Sequence, residues 1–158
     1  MRKLETYKRI ILLALSGVGI LIHVLVFFYF WKTNFSLSIT NNTGLAYYYR
    51  ADLLEIGFYL LILCFLSKMY GGMRIGYLKN AEVIFSQIFA ILAANVLLYA
   101  ELSIMAKELF VVKMFLIMTL LQIAATLIWN NVAYWIYKSV FRPRKMLLIH
   151  GERPIEGI

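Results

Sequence analysis

Residues 114–137 read MFLIMTLLQIAATLIWNNVAYWIY. The stretch holds no Asp, Glu, Lys, Arg, Gly or Pro, and it exceeds the roughly 20 residues a helix needs to cross the hydrocarbon core of a bilayer. Working outward, residues 10–31 (IILLALSGVGILIHVLVFFYFW) form a second run of that length. Residues 81–101 form a third, interrupted by Glu82, Ser86, Gln87 and Asn95, which reads as a span whose polar side faces protein. The fourth is shorter. Its purely apolar part is Ile56 to Leu66, and membrane length requires starting near Tyr48, with Arg50, Asp52 and Glu55 in the first turns. Tyr47 to Tyr49 suit the headgroup level. The expected fold is therefore an all-α membrane protein, an antiparallel bundle of four spans at about 10–31, 48–69, 81–101 and 114–137, occupying residues 1–141.

Composition agrees with this reading. Of 158 residues, 63% are hydrophobic and 15% charged, with mean hydropathy +0.79. Soluble domains carry about 45–50% apolar and about 25% charged residues. A soluble monomer is excluded on that ground, and a disordered chain by the 16% of aromatic residues. The single cysteine, Cys64, can form neither an internal disulfide nor a metal-ligand set, and its apolar neighbours mark it as a small buried residue. The first run is too long for the roughly 7–15 residues of a signal-peptide core, and Tyr29, Phe30 and Trp31 make a poor cleavage site.

The net charge of +8 is read through its distribution. Arg2, Lys3, Lys8 and Arg9 precede the first span, Lys68, Arg74 and Lys79 lie between the second and third, and Lys138, Arg142, Arg144, Lys145 and Arg153 follow the fourth. Only Lys32, Arg50, Lys107 and Lys113 fall on the other side. By the positive-inside rule both termini and the middle loop are expected on the cytoplasmic side of the membrane, in contact with anionic headgroups. With no basic stripe outside the membrane flanks, nucleic acid is not an expected partner.

Polar residues within spans usually face the bundle interior, at about 0.6 kcal/mol for each hydrogen bond. At about 1.5 Å per residue, His23, Asn95 and Gln122 lie roughly 9–12 Å from the outer ends of their spans. Ser16, Gln87, Asn130 and Asn131 lie at a comparable depth from the inner ends. Two polar layers clasping antiparallel helices are expected. Ser86, Ala90 and Ala94 add a small-residue stripe, suited either to packing inside the bundle or to a dimer face.

Ionisable groups at membrane depth are functional candidates. His23 reads as a proton relay or, more simply, as a neutral histidine bonded within the bundle. Glu55, Glu82 and Glu101 sit in terminal turns, in reach of water or headgroups, and Glu82 just after Asn80 suits a helix N-terminus. No H-E-x-x-H, G-x-S-x-G or Walker pattern occurs, and no helix is broken by Gly or Pro as transporter sites usually are. No catalytic, cofactor or metal residue is assigned, and the chain alone is expected to be inactive.

Two segments remain. The middle loop, Ser67-Lys-Met-Tyr-Gly-Gly-Met-Arg-Ile-Gly-Tyr-Leu-Lys79, has three glycines in a tight basic turn. After Pro143, Arg144 and Lys145 lead into the short apolar run Met146 to Ile149, closed by Gly151, which reads as a buried strand opening an α/β domain. A lone strand cannot bury itself, so residues 142–158 are expected to be the start of a truncated Rossmann-like domain.

Y-G-G-x-R-I-G-Y in the loop and P-R-K-M-L-L-I-x-G after the last span resemble the N-terminal membrane region of bacterial sugar transferases, the large polyprenyl-phosphate sugar-1-phosphate transferases. The resemblance covers nearly the whole chain. It implies that Gly71, Gly72, Arg74, Gly76 and Tyr77 belong to the family's loop, and that Arg144 to Gly151 match the first strand of an intermediate domain. It also implies a role as anchor and scaffold for transfer of a sugar-1-phosphate from a nucleotide sugar to undecaprenyl phosphate, in exopolysaccharide or capsule synthesis. Magnesium is implied for a catalytic domain that this sequence lacks. Polyprenyl phosphate, a second copy of the chain, or a separate catalytic chain are the implied partners. The competing expectation is a small four-span transporter or flippase of polyprenyl-linked sugars.

Overall fold

The computed structural model describes residues 2–43, 49–73, 78–106, 109 and 112–140. The tail from residue 142 onward, where a strand is expected, lies outside them, as do Arg74, Gly76 and Tyr77 of the loop. The described residues are almost wholly helical and contain no strand: α1 (Arg2–Phe30), a π-helical turn (Trp31–Phe35), α2 (Ser36–Thr43), α3 (Tyr49–Met69), α4 (Asn80–Ala106) and α5 (Val112–Val140). Four segments are long and apolar enough to cross a membrane: Ile10–Asn41, Asp52–Tyr70, Asn80–Ala106 and Val112–Val140. A helix satisfies its own backbone polar groups, which is why apolar runs of this length take that form in lipid.

The four long helices close into a ring in which α1 packs on α3, α3 on α4, α4 on α5 and α5 on α1. Contacts at the two ends show that each neighbouring pair is antiparallel. Trp31, the first residue past α1, meets Asp52 near the start of α3, and Ser16 of α1 meets Met73 just past the end of α3. Tyr59 pairs with Asn95 and Gly72 with Gln87, while Asn95 faces Gln122 and Gln87 faces Asn130. One end of the bundle thus gathers the α3–α4 turn, the beginnings of α1 and α4 and the end of α5. Leu12, Leu15, Val83 and Ala133 form its small core.

The larger core belongs to the opposite end. Phe27, Trp31, Phe35 and Ile39 recur every four residues and are all buried. An α-helix turns about 100° per residue, so steps of four overshoot a face by about 40° each. The wider π turn at Trp31–Phe35 rotates less per residue and offsets part of that drift, keeping the stripe on one side. The first span is expected to end at Trp31, yet the helix continues. Neither Gly nor Pro stands in its way before Gly44, and Thr33 and Thr40 bond back to the carbonyls of Tyr29 and Ser36. The extension leans on α4 through α2, while Phe35 of the π turn stacks on Phe115 of α5 at 4.6 Å, a ring that Tyr99 of α4 meets edge-on at 5.1 Å. Meanwhile Leu13, Phe65, Ile104, Leu120, Ile128 and Trp135 point outward. Only lipid would make that many large apolar side chains comfortable on a surface.

Candidate functional site: a polar column along the bundle axis

At the middle of the bundle all four long helices contribute to a single cluster. Asn95 Nδ2 donates to Gln122 Oε1 at 2.8 Å, Gln122 Nε2 donates to the Tyr59 hydroxyl at 2.8 Å, and that hydroxyl donates to Asn95 Oδ1 at 3.3 Å. The three residues form a closed cycle, an arrangement in which each bond polarises the next. Gln122 Nε2 also reaches the His23 carbonyl at 3.3 Å, and Asn95 Nδ2 the Thr119 hydroxyl at 2.8 Å. The His23 ring turns to Thr126 Oγ1, 3.4 Å from Nε2. Gln122 and Thr126 are fully buried, and His23 is 5% exposed.

A second cluster lies toward the α3–α4 turn. Asn130 Nδ2 donates to Gln87 Oε1 at 2.6 Å and to the Thr126 carbonyl at 2.9 Å. Gln87 Nε2 donates to the Gly72 carbonyl at 2.8 Å, and the Ser16 hydroxyl lies within reach of the carbonyls of Leu12 and Met73. Of the seven residues expected in two layers, the structure brings His23, Asn95 and Gln122 together in one cluster and Ser16, Gln87 and Asn130 in the other. Asn131 stands apart. It is exposed, outside both clusters, and accepts from Asn80 Nδ2 at the start of α4 at 3.0 Å. Adjacent helical residues point about 100° apart, so Asn130 and Asn131 cannot both face inward.

Three members of the column have no counterpart among the expected site residues: Tyr59, Thr119 and Thr126. Gln122, Thr126 and Asn130 follow one another at intervals of four, a spacing that puts all three on one helix face. That pattern was the available signal for Thr126. Tyr59 and Thr119 carried none, because tyrosine and threonine are common in spans and threonine can bond to its own helix, as Thr119 does to the Phe115 carbonyl at 2.7 Å.

The α3–α4 turn explains two of the loop glycines. Gly72 N–H donates to the Ser67 carbonyl at 2.8 Å and Gly71 N–H to that of Lys68 at 3.4 Å, the paired bonds of a Schellman cap. Gly71 takes the left-handed conformation this cap requires, φ 81°. Gly72 is required by contact instead, since a Cβ there would stand 2.8 Å from Gln87 Cγ. Close approach also governs the α1–α5 seam, where a Cβ on Gly19 would lie 3.0 Å from the Trp129 indole, whose Nε1 donates to the Leu15 carbonyl. In the small-residue stripe, Ala90 and Ala94 are fully buried in the chain's own core.

At the far end, Asp52 is buried and accepts from Trp31 Nε1 at 2.8 Å while pairing with Lys32. Glu55, expected within reach of water, is only 5% exposed and stands near Glu101. Each has an Oε2 without a hydrogen-bond partner among the described residues. Glu82 is exposed in the first turn of α4. Among the described residues no three of His, Cys, Asp and Glu come together as metal ligands. Comparison with protein-family models, with curated proteins and with solved structures finds no match to this chain.

Proposed function

We propose that the chain is the membrane anchor and scaffold of a bacterial sugar transferase, holding beside the bilayer a catalytic domain that moves a sugar-1-phosphate from a nucleotide sugar to undecaprenyl phosphate. The observation that carries the reading is the filled axis of the bundle. The cycle of Tyr59, Asn95 and Gln122 occupies the space a transported headgroup would need, and each side chain in it is committed to its neighbours. A fixed scaffold calls for such an interior, and a flippase does not. The loop motif adds support, since Gly71 is demanded by the turn and Gly72 by the close approach of Gln87.

The proposed orientation places the α3–α4 turn and both termini in the cytoplasm. It is supported by Lys68, Lys79 and Lys138 standing at the same end of the bundle, opposite Lys32. The test is a transfer assay with the purified chain in lipid, a labelled nucleotide sugar, undecaprenyl phosphate and magnesium. No turnover is expected from the chain alone, and a magnesium-dependent lipid-linked product would overturn the assignment. Reading the coding sequence past codon 158 provides the positive arm: an in-frame continuation into an α/β and then a carboxylate-bearing domain is the expected result.

A further inference from the structure

His23 carries a hydrogen-bond acceptor that nothing described satisfies. The Thr126 hydroxyl has one hydrogen, and at 2.8 Å against 3.4 Å it goes to the Gln122 carbonyl rather than to the His23 ring. His23 Nε2 is therefore the donor toward Thr126 Oγ1. A neutral imidazole has only that one N–H, which leaves Nδ1 as a bare lone pair. Nδ1 is buried without a hydrogen-bond partner among the described residues, on a side chain that is 95% removed from solvent. Beside His23 lies a small cavity of about 10 Å³ whose lining mixes Ser16, Ser67 and Gln87 with apolar residues, Ile20 and Ile91 among them.

We propose that this cavity is a binding site for one ordered water molecule, which donates to His23 Nδ1. The volume fits a single water, and polar partners among the lining residues are what separate hydrated cavities from dry ones. The lining holds serine hydroxyls and a histidine but no carboxylate, so the ligand is a neutral donor rather than a metal cation. Ser16 and Ser67 line the same cavity, and the Ser16 hydroxyl, whose own hydrogen goes to a backbone carbonyl, can accept the water's second hydrogen. The supply route is short, because Ser67 and Gly72 belong to the cap that ends α3. Bound there, the water links the His23 ring on α1 to the end of α3, a connection that no direct bond between described side chains makes.

The site also decides what the column can do. A water beside His23 could exchange protons with the aqueous side, but the column beyond passes through the Gln122 and Asn95 amides, which hold their hydrogens. The water is thus a fixed strut at the foot of the clasp and does not open a proton route across the bundle.

Solid-state NMR of the full chain, 15N-labelled and in bilayers, tests this directly. The chain has two histidines, so a His150→Gln variant identifies the His23 signals. The expected result is an Nε2-protonated ring with a hydrogen-bonded, unprotonated Nδ1 that receives magnetisation from water. An Nδ1-protonated or doubly protonated ring, or a His23 ring in a folded bundle that receives nothing from water, would overturn the proposal. Filling the cavity by Ser67→Val is expected to abolish the transfer, and transfer that persists in a folded variant counts against the site. If that variant does not fold, the measurement on the unaltered residue 67 decides alone.

Discussion

Gln122 is the residue on which the column depends most. Its amide bonds to Asn95, Tyr59 and the His23 carbonyl, so it ties α5 to the other three helices. Gln122→Leu keeps the volume but leaves buried groups of three helices short of a partner. The expected loss is about 1–3 kcal/mol, measured by unfolding in bicelles. Asn131→Ala removes an amide of the same chemistry from the exposed side of α5, and the expected change is within about 0.5 kcal/mol. This contrast marks how far the sequence could be read at the scale of one side chain. Depth along a span is countable, so His23, Asn95 and Gln122 could be placed at one level from the sequence alone. Azimuth is harder to count where two asparagines are adjacent. Tyr59 was hidden for a different reason, since tyrosine in a span is usually credited to the headgroup region and here its hydroxyl closes a buried cycle.

At the scale of elements, the long helices were legible because twenty or more apolar residues admit no other structure in lipid. The π turn was not. No Gly, Pro or charge pattern announces it, and its cause is a buried stripe spaced at four rather than 3.6 residues. Asp52 holds this turn in place by accepting from Trp31 and pairing with Lys32, two consecutive residues. Asp52→Ala is expected to cost about 1–3 kcal/mol in the same unfolding measurement, with Asp52→Asn losing less because an acceptor for the indole remains. The cap of α3 has two glycines with different duties. Gly71→Ala places a side chain at φ 81°, for an expected cost of about 1–2 kcal/mol. Gly72→Ala meets Gln87, whose amide is held by the Gly72 carbonyl and by Asn130 and so cannot swing aside. Its expected signature is loss of the Gln87–Asn130 bond, visible as a changed Asn130 side-chain amide signal in NMR spectra.

At the scale of the molecule, four long apolar helices were legible, and an antiparallel bundle was expected from them and from the alternating basic pattern. What a list of spans cannot supply is which helices touch. That follows from polar groups at matching depths, and the order α1, α3, α4, α5 around the ring becomes visible only when their bonds are traced. The cycle at the centre has one more implication, which concerns how the protein is made. Helices enter a membrane in the order of synthesis, and Tyr59 and Asn95 can pair as soon as α4 has followed α3 through the translocon. The His23 carbonyl has to wait for Gln122, on the last helix to arrive. Until then a nascent chain carries polar groups in hydrocarbon with no lasting partner, a state that insertases and membrane proteases can recognise as unfinished. Arrival of α5 supplies the missing partners, since Gln122 bonds Asn95, Tyr59 and the His23 carbonyl together.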